Sequence, residues 1–295
     1  MAGKGKGFRI FANIVLVILT LSAVLPFILL IMSSVTSEDA IMRYGYSFIP
    51  REFSGAAYRY LMLSSKRILK AYGMTFLVTS VGTVLSTFIT IFVAYLLSKK
   101  DLPGRKFLTF VVFFTMLFSG GMIPTYLVWS QLMHVRDTVW GLILPNLLMS
   151  AFNVILIRTY FTSNVPMEIC EAAEMDSCSQ PRMLFAVYLP LSKPMIATIS
   201  LFSALGYWND WINGLYYISV KRDLYTIQNV LNAMQSSIQF LKDNASAGMT
   251  EFAMNLPSMG VRMAIAVIAV LPIMAIYPFF QKSFVRGIVI GGVKG

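Results

Sequence analysis

Long apolar runs separated by short polar stretches dominate the chain. The first run covers 10–32 and follows Lys4, Lys6 and Arg9. At about 1.5 Å per residue it is long enough to cross a hydrocarbon core of about 30 Å. Comparable runs at 71–97, 107–128, 139–160, 191–212 and 259–280 predict six transmembrane helices and an all-α integral membrane protein. Pro26, Pro124 and Pro145 fall inside these runs, as does the pair Gly120-Gly121, and membrane helices tolerate such breaks. A cleaved secretory leader is the other reading of the first run. Against it, the run exceeds a leader's apolar core and shows no evident small-x-small cleavage site.

The polar stretches differ in kind. Residues 33–70 form a connection whose last part, 58–70, alternates Leu61, Met62, Leu63, Ile68 and Leu69 with Arg59, Lys66, Arg67 and Lys70, which predicts a helix lying on a membrane surface. The run at 71–97 is dense in Gly, Ser and Thr, among them Thr75, Gly82, Ser86 and Thr90. Small residues let membrane helices approach closely, so this helix is expected to be packed inside the protein. Lys99, Lys100, Arg105 and Lys106 bracket Pro103-Gly104 in a short positive turn, the mark of a cytoplasmic loop. A turn at 131–138 and a polar connection at 218–257 are expected on the opposite side. A basic tail, 281–295, ends the chain. With six spans both termini lie in the cytoplasm.

One polar stretch, 163–190, is acidic: Glu168, Glu171, Glu174 and Asp176 come together with no Lys or Arg between Arg158 and Arg182. Ser163 or Asn164 is placed to cap a helix whose first turn holds Pro166, and carboxylates in that turn favour the positive end of the helix dipole. The helix is expected to stop near Ser177, and Pro181 to open a second one. The result is a helical hairpin outside the membrane, with Met167, Ile169, Cys170 and Ala173 as its apolar surface. A solvated acidic loop is the plainer reading of the same charges.

Composition fits the class. Of 295 residues, 57% are hydrophobic and only 13% charged, against about 25% charged in a soluble domain. The 24 Lys and Arg against 13 acids are spread between apolar runs, which speaks for membrane lipid rather than nucleic acid as the partner. Cys170 and Cys178 both lie in the acidic stretch and are expected as reduced thiols if it is cytoplasmic. His134 is the single histidine, so no His-based metal cluster is available. Nor is there a G-x-x-x-x-G-K-[ST] phosphate loop. This chain is therefore expected to carry no cofactor of its own, with any ATP chemistry on another subunit.

Glu171-Ala172-Ala173, then Ser177, then Val187-Tyr188-Leu189-Pro190 follow the spacing E-A-A-x(3)-G-x(9)-I-x-L-P. The stretch resembles the cytoplasmic loop of the permease subunits of bacterial ATP-binding-cassette (ABC) importers. Ser177 stands where that family prefers Gly, and Val187 where it prefers Ile. Trp208-Asn209-Asp210-Trp211 resembles a segment of the carbohydrate-type permeases, Leu224-Tyr225-Thr226-Ile227-Gln228 their outer-loop pattern, and Phe284-Val285-Arg286-Gly287 with Gly291 to Gly295 their carboxy-terminal ending. The likeness covers essentially the whole chain and is nearest to the maltose-type partner permease, within it the subgroup for oligosaccharides such as aldouronates.

The resemblance implies a type I ABC importer permease fold. It divides the chain into an N-terminal helix with its outer connection (1–70), a type 1 transmembrane domain (71–280) containing the coupling hairpin (163–190), and a tail (281–295). It implies a multi-pass protein of the bacterial cytoplasmic membrane that is not itself an enzyme. Its partners would be a second permease, two ATPase subunits carrying ATP and Mg, and an extracytoplasmic solute-binding protein. Glu171, Ala172, Ala173, Asp176, Ser177 and Pro190 would couple to the ATPase. In the hairpin Glu171 is expected to make a polar contact with the ATPase, and Ala172 and Ala173 to be small so that the helix can seat. Ser177 is expected to be tolerated because the turn is not deeply left-handed.

Trp208, Asn209, Asp210 and Trp211 are the candidate substrate-path residues. On one continuous helix the two tryptophans would share a face and Asp210 would point elsewhere. Asp210 is expected toward a water-filled path, because a carboxylate beside a span is costly without water or a partner; a structural acceptor is the alternative. Three other functions remain open: a permease for a non-sugar solute, an ion-coupled secondary transporter, and a membrane transferase using the acids of 168–176.

Overall fold

A computed structural model of the chain describes residues 5–63, 65–245, 259–272 and 274–275, and every described element of regular structure is helical apart from one isolated bridge between Thr36 and Phe53. In chain order the helices are α1 (Gly5–Ser34), α2 (Glu38–Tyr44), α3 (Ala56–Leu63), α4 (Ser65–Ser98), α5 (Arg105–Leu117) and α6 (Met122–Leu127). They continue with α7 (Trp140–Ile143), α8 (Ala151–Asn164), α9 (Met167–Met175), α10 (Gln180–Met183), α11 (Leu189–Leu191), α12 (Lys193–Asn209), α13 (Ile212–Tyr217), α14 (Ile227–Ala245) and α15 (Met259–Pro272). Single π-helical turns extend α6 through Val128–Leu132 and join α10 to α11 through Leu184–Tyr188.

Among the described residues α1 and α4 are long and apolar enough to cross a membrane. Two bent pairs join them if each counts as one span: α5 with α6, at 114°, and the α10–α11 limb with α12, at 87°. The run at 139–160 is not one helix. It divides at Pro145 into α7 and α8, because proline has no N–H to give and clashes with the preceding turn. The last part of the sixth predicted span and the basic tail lie outside the described residues, as does the carboxy-terminal pattern from Phe284.

The described residues form two compact units, one within 1–67 and 231–274 and one within 68–230. In the first, Ser37 Oγ caps α2 by accepting from the Ala40 N–H at 3.2 Å. The neighbouring Glu38 carboxylate accepts from the Met259 and Gly260 N–H groups at 2.9 and 3.0 Å. These are orphan donors at the start of α15, where a negative charge also suits the helix dipole. Apolar side chains along α1 stand exposed, from Phe8 to Ile31, the surface that a lipid phase covers.

The second unit is built on α4. The separate surface helix expected at 58–70 is met only in its first half, by α3: α4 begins at Ser65, so Lys66, Arg67 and Lys70 form the first turns of the long helix itself. Helix-forming Lys and Arg simply continue it toward the charged interface. Thr75, Gly82, Ser86 and Thr90 form one buried stripe, at the i+7 and i+4 spacing of a single helix face. This stripe receives α12. Ser86 and Ser203 share a hydrogen bond at 3.2 Å, and so do Thr87 and Ser200. Opposite Gly82 lies the ring of Tyr207, 1% exposed, whose hydroxyl donates to the Ile143 carbonyl at 2.9 Å. Small residues and paired hydroxyls draw the two helices together where lipid offers no hydrophobic drive.

The polar connection expected from 218 also holds structure. Residues 227–245 form α14, whose spacing of apolar positions is amphipathic. Its start is tied down by polar bonds: Thr75 Oγ1 accepts from Ile227 N–H at 2.8 Å, and the buried Asn229 amide donates to the Trp211 carbonyl at 2.7 Å.

A carboxylate clamp joins two loops of this unit. Asp137, at φ +53°, accepts from the backbone N–H groups of Ser219, Val220 and Lys221 at 2.9, 2.9 and 3.0 Å, and from Ser219 Oγ at 3.1 Å. Those backbone donors, Lys221 first, hold its pKa down to about 2. The sign follows from the ordinary value of about 3.9. The clamp is at full strength above that value and is lost as pH falls through about 2. Asp137→Asn removes the charge while tolerating the left-handed backbone. It should lower the melting temperature of the purified protein at pH 7, with the difference from wild type closing toward pH 2. Equal melting temperatures at pH 7 would show the clamp to be idle.

Candidate functional site

The acidic stretch folds as a helical hairpin. Pro166, in extended conformation, sits at the cap of α9, and Asn164 ends α8 by donating to the Tyr160 carbonyl at 3.4 Å. The expected cap therefore belongs to the helix before, since Asn164 is still helical when Pro166 forces the preceding residue out of the α region. The return limb starts at Gln180 with Pro181 in its first turn. Pro190, exposed near the end of that limb, cannot donate to the preceding turn. The π-helical turn at Leu184–Tyr188 and the bend at Ser192 frame it.

The two faces of α9 differ. Cys170 is buried in the protein's own core, and Ala173 is half-buried against that core. Glu168, Glu171, Ala172, Met175 and Asp176 are exposed. Ala172 and Ala173, both expected to seat a partner, thus lie on different sides of α9, Ala172 exposed and Ala173 half-buried. At 100° per residue the two cannot share a face, and Ala173 packs inward.

The turn after α9 is left-handed, contrary to expectation: Ser177 has φ +54°. Ser177 N–H donates to the Glu174 carbonyl and Cys178 N–H to the Ala173 carbonyl, both at 3.0 Å. This is the Schellman pattern, which satisfies carbonyls the helix end would otherwise orphan and which places its left-handed residue at the position of Ser177. The two bonds hold Ser in a conformation that costs a side-chain-bearing residue about 1–2 kcal/mol. Ser177→Gly should therefore raise the melting temperature of the purified protein, by an amount corresponding to roughly 1 kcal/mol. An unchanged or lower value would mean that the hairpin carries no such strain.

The end of α4 forms a socket for both limbs. Tyr95 donates to the Gln180 side chain at 2.6 Å and meets the Tyr188 ring edge-on at 4.9 Å. Lys99 Nζ lies 5.1 and 5.3 Å above these two rings and 3.8 Å from the Glu174 carboxylate. Cys170 Sγ donates to the Tyr188 hydroxyl at 3.5 Å, and Arg158 Nε to the Leu97 carbonyl at 3.2 Å. Cation–π attraction and an ion pair thus converge on one ammonium. These contacts tie the hairpin to the end of α4. The sequence pointed at Lys99 only as a loop charge. Its spacing from Tyr95, one helical turn, was the signal for the socket.

The tryptophan segment is not one helix. α12 ends at Asn209, Asp210 is extended, and α13 starts at Ile212. The expected shared face of Trp208 and Trp211 is therefore absent. Trp208 is 4% exposed and packs against Phe76 at 5.2 Å, whereas Trp211 is exposed. The Asp210 carboxylate accepts from the Ile212 and Asn213 N–H groups at 3.1 and 3.3 Å, donors left free because the helix breaks there. Asn209 donates back to the Leu205 carbonyl at 2.9 Å. Asp210→Asn keeps an equivalent cap, whereas Asp210→Ala costs about 1 kcal/mol. A purely structural Asp210 predicts an Asn variant with unchanged activity; lost activity with normal assembly would instead make Asp210 functional.

The match to known proteins spans the chain. The family described as binding-protein-dependent transport system inner membrane component matches residues 86–290. Protein LplC of Bacillus subtilis (strain 168) is 41% identical over 92% of this chain and 90% of its own length. The polygalacturonan/rhamnogalacturonan transport system permease protein YtcP of the same organism is 39% identical over 95% of this chain and 96% of its own length. A solved bacterial ABC transporter involved in the import of the acidic polysaccharide alginate contains a chain that superimposes with a TM-score of 0.75. It is 30% identical, with 96% of this chain and 99% of that one covered.

Proposed function

Because this chain belongs to the binding-protein-dependent transport system inner membrane components, we propose that it is a permease subunit of an ATP-driven importer of oligosaccharides. The similarity to a polygalacturonan/rhamnogalacturonan permease, to arabinooligosaccharide permeases and to a transporter for alginate favours plant or microbial polysaccharide fragments as cargo. The hairpin carries the mechanism. One face of α9 is locked to α4 through Tyr95, Lys99 and Tyr188, while the other presents Glu171, Ala172 and Asp176 to an ATPase subunit. The Schellman turn at Ser177 and the Pro190 limb keep the lever stiff. Closure of an ATPase pair then pushes α9 and α4 as one body, and the rocking of packed helices alternates access to the path.

In this reading six spans complete the fold, and ATP and Mg are bound by the ATPase pair. The other partners are a second permease and an extracytoplasmic binding protein. The contact between Lys99 and Glu174 brings the positive turn beside the hairpin, and the Lys/Arg rule supports a cytoplasmic position for this side and for both termini. Reconstitution of this chain with its partner permease, ATPase pair and binding protein in proteoliposomes tests the proposal. Labelled oligosaccharide should accumulate only with ATP. Uptake that persists without the ATPase subunits would make the protein a secondary transporter instead.

A further inference from the structure

A cavity of about 240 Å³ lies where three breaks in the second unit meet. One break is the turn from α5 into α6, with Gly121 at φ +86°. Another is the turn after Pro145, with Asn146 at φ +62°. The third is the interruption between α12 and α13. Its wall includes Ser119, Thr125, Tyr126, Asn146, Tyr216 and Tyr217. The Tyr126 and Tyr217 rings stack, with centroids 5.8 Å apart. Asn146 is exposed and its side-chain amide donates a long bond, 3.4 Å, to Oδ1 of the Asn213 side chain. The lining holds no Lys, Arg, His, Asp or Glu.

We infer that this cavity is a subsite for a single uncharged sugar ring of the translocated oligosaccharide; the inference rests on the function proposed above. Hydroxyls and an exposed amide in a broken span are expensive against hydrocarbon and belong on a wetted surface. Interrupted membrane helices gather such groups around transported solutes. The face of the half-buried Tyr126 suits the apolar C–H side of a sugar ring, with the buried Tyr217 ring stacked against it. The amide and hydroxyls can both donate to and accept from ring hydroxyls. Ligand pockets for larger molecules begin at about 300 Å³, so this volume takes one ring rather than a chain. With no cation in the wall, the carboxylate of an acidic sugar finds no partner here. The subsite reads the neutral hydroxyl face, and any acid group must be met elsewhere along the path.

The complete importer in proteoliposomes tests this, with labelled arabinotriose, galactotriose and trigalacturonate as probes. If the unsubstituted importer takes up none of them with ATP, the sugar reading falls and this subsite with it. If it takes up one, the subsite is tested separately. Asn146→Gly keeps the left-handed backbone and removes only the amide, and Tyr126→Leu removes the ring face. Either should lower maximal uptake at least threefold, while ATPase activity stimulated by the loaded binding protein stays within twofold. Thr125→Cys should react with a membrane-impermeant maleimide, read on the peptide carrying residue 125, and the transported sugar should protect it. An unreactive thiol marks a crevice filled by lipid or by the partner permease and overturns the proposal. So does a reactive thiol that no transported sugar protects, or uptake by Asn146→Gly less than threefold below wild type.

Discussion

Ala172→Trp should leave the protein inserted and assembled in the membrane but lower ATP-driven uptake at least tenfold, whereas Ala173→Trp should damage the hairpin itself. The two alanines are adjacent and chemically identical, so only their faces separate them. Ala172 is exposed beside Glu168, Glu171 and Met175, and an indole there obstructs the surface offered to the ATPase. Ala173 packs against the buried cluster that holds Cys170 and Tyr188. An indole there overfills a packed site, at a cost of about 1–3 kcal/mol. Two measurements distinguish the variants: co-purification of the ATPase and the melting temperature of the permease. Ala172→Trp should lose the first and keep the second, and Ala173→Trp should lower the second. Normal uptake by Ala172→Trp would remove α9 from coupling, and indistinguishable variants would contradict the assignment of faces.

Gly82→Val should prevent stable folding. A Cβ at this position would lie 2.5 Å from Cζ of Tyr207, nearer than carbon atoms approach. The ring cannot give way, because its hydroxyl is bonded to the Ile143 carbonyl and Val78, Leu142 and Ile218 close around it. Relief requires α4 and α12 to separate, which also strains the Ser86–Ser203 and Thr87–Ser200 pairs. Overpacking of this kind costs several kcal/mol, comparable with much of the stability of a domain. The amount of monodisperse protein recovered from membranes should fall to near background. Gly82→Ala should be milder, and Tyr207→Leu should rescue it in part, since the two positions share one contact. Wild-type recovery of Gly82→Val would show that the helices have room to part.

Much of this protein was legible in one dimension because its environment imposes strong local rules. Apolar length predicts membrane helices, and α1 and α4 appear where the runs at 10–32 and 71–97 fall. The small residues of α4 announced a packed face, since close approach requires small side chains whatever lies opposite. The acidic hairpin showed itself through proline and charge positions, and the E-A-A spacing carried the family. None of these inferences needs to know what a residue touches.

What touches what was decided by the tertiary structure. Periodicity assigned Trp208 and Trp211 to one face, but α12 ends between them, and Asp210 serves the new helix start. The chain breaks there because the Thr226–Asn229 turn, far along in sequence, binds the Asp210 and Trp211 carbonyls. Ser177 is left-handed because two backbone bonds of the α9 end demand it, not because Ser prefers it. Asp137 was an ordinary loop acid until residues 219–221 brought three N–H groups to it. Lys99 became part of a socket only when Glu174 and Tyr188 returned to α4. Apart from Ser177, whose partners Glu174 and Ala173 are local, each of these outcomes depends on partners 16 to 89 residues away. Local pattern fixes which segments are helical, because helices satisfy their own backbone. It leaves open where they end and which face is inward, because those are set by donors, acceptors and volume that only the folded neighbours supply.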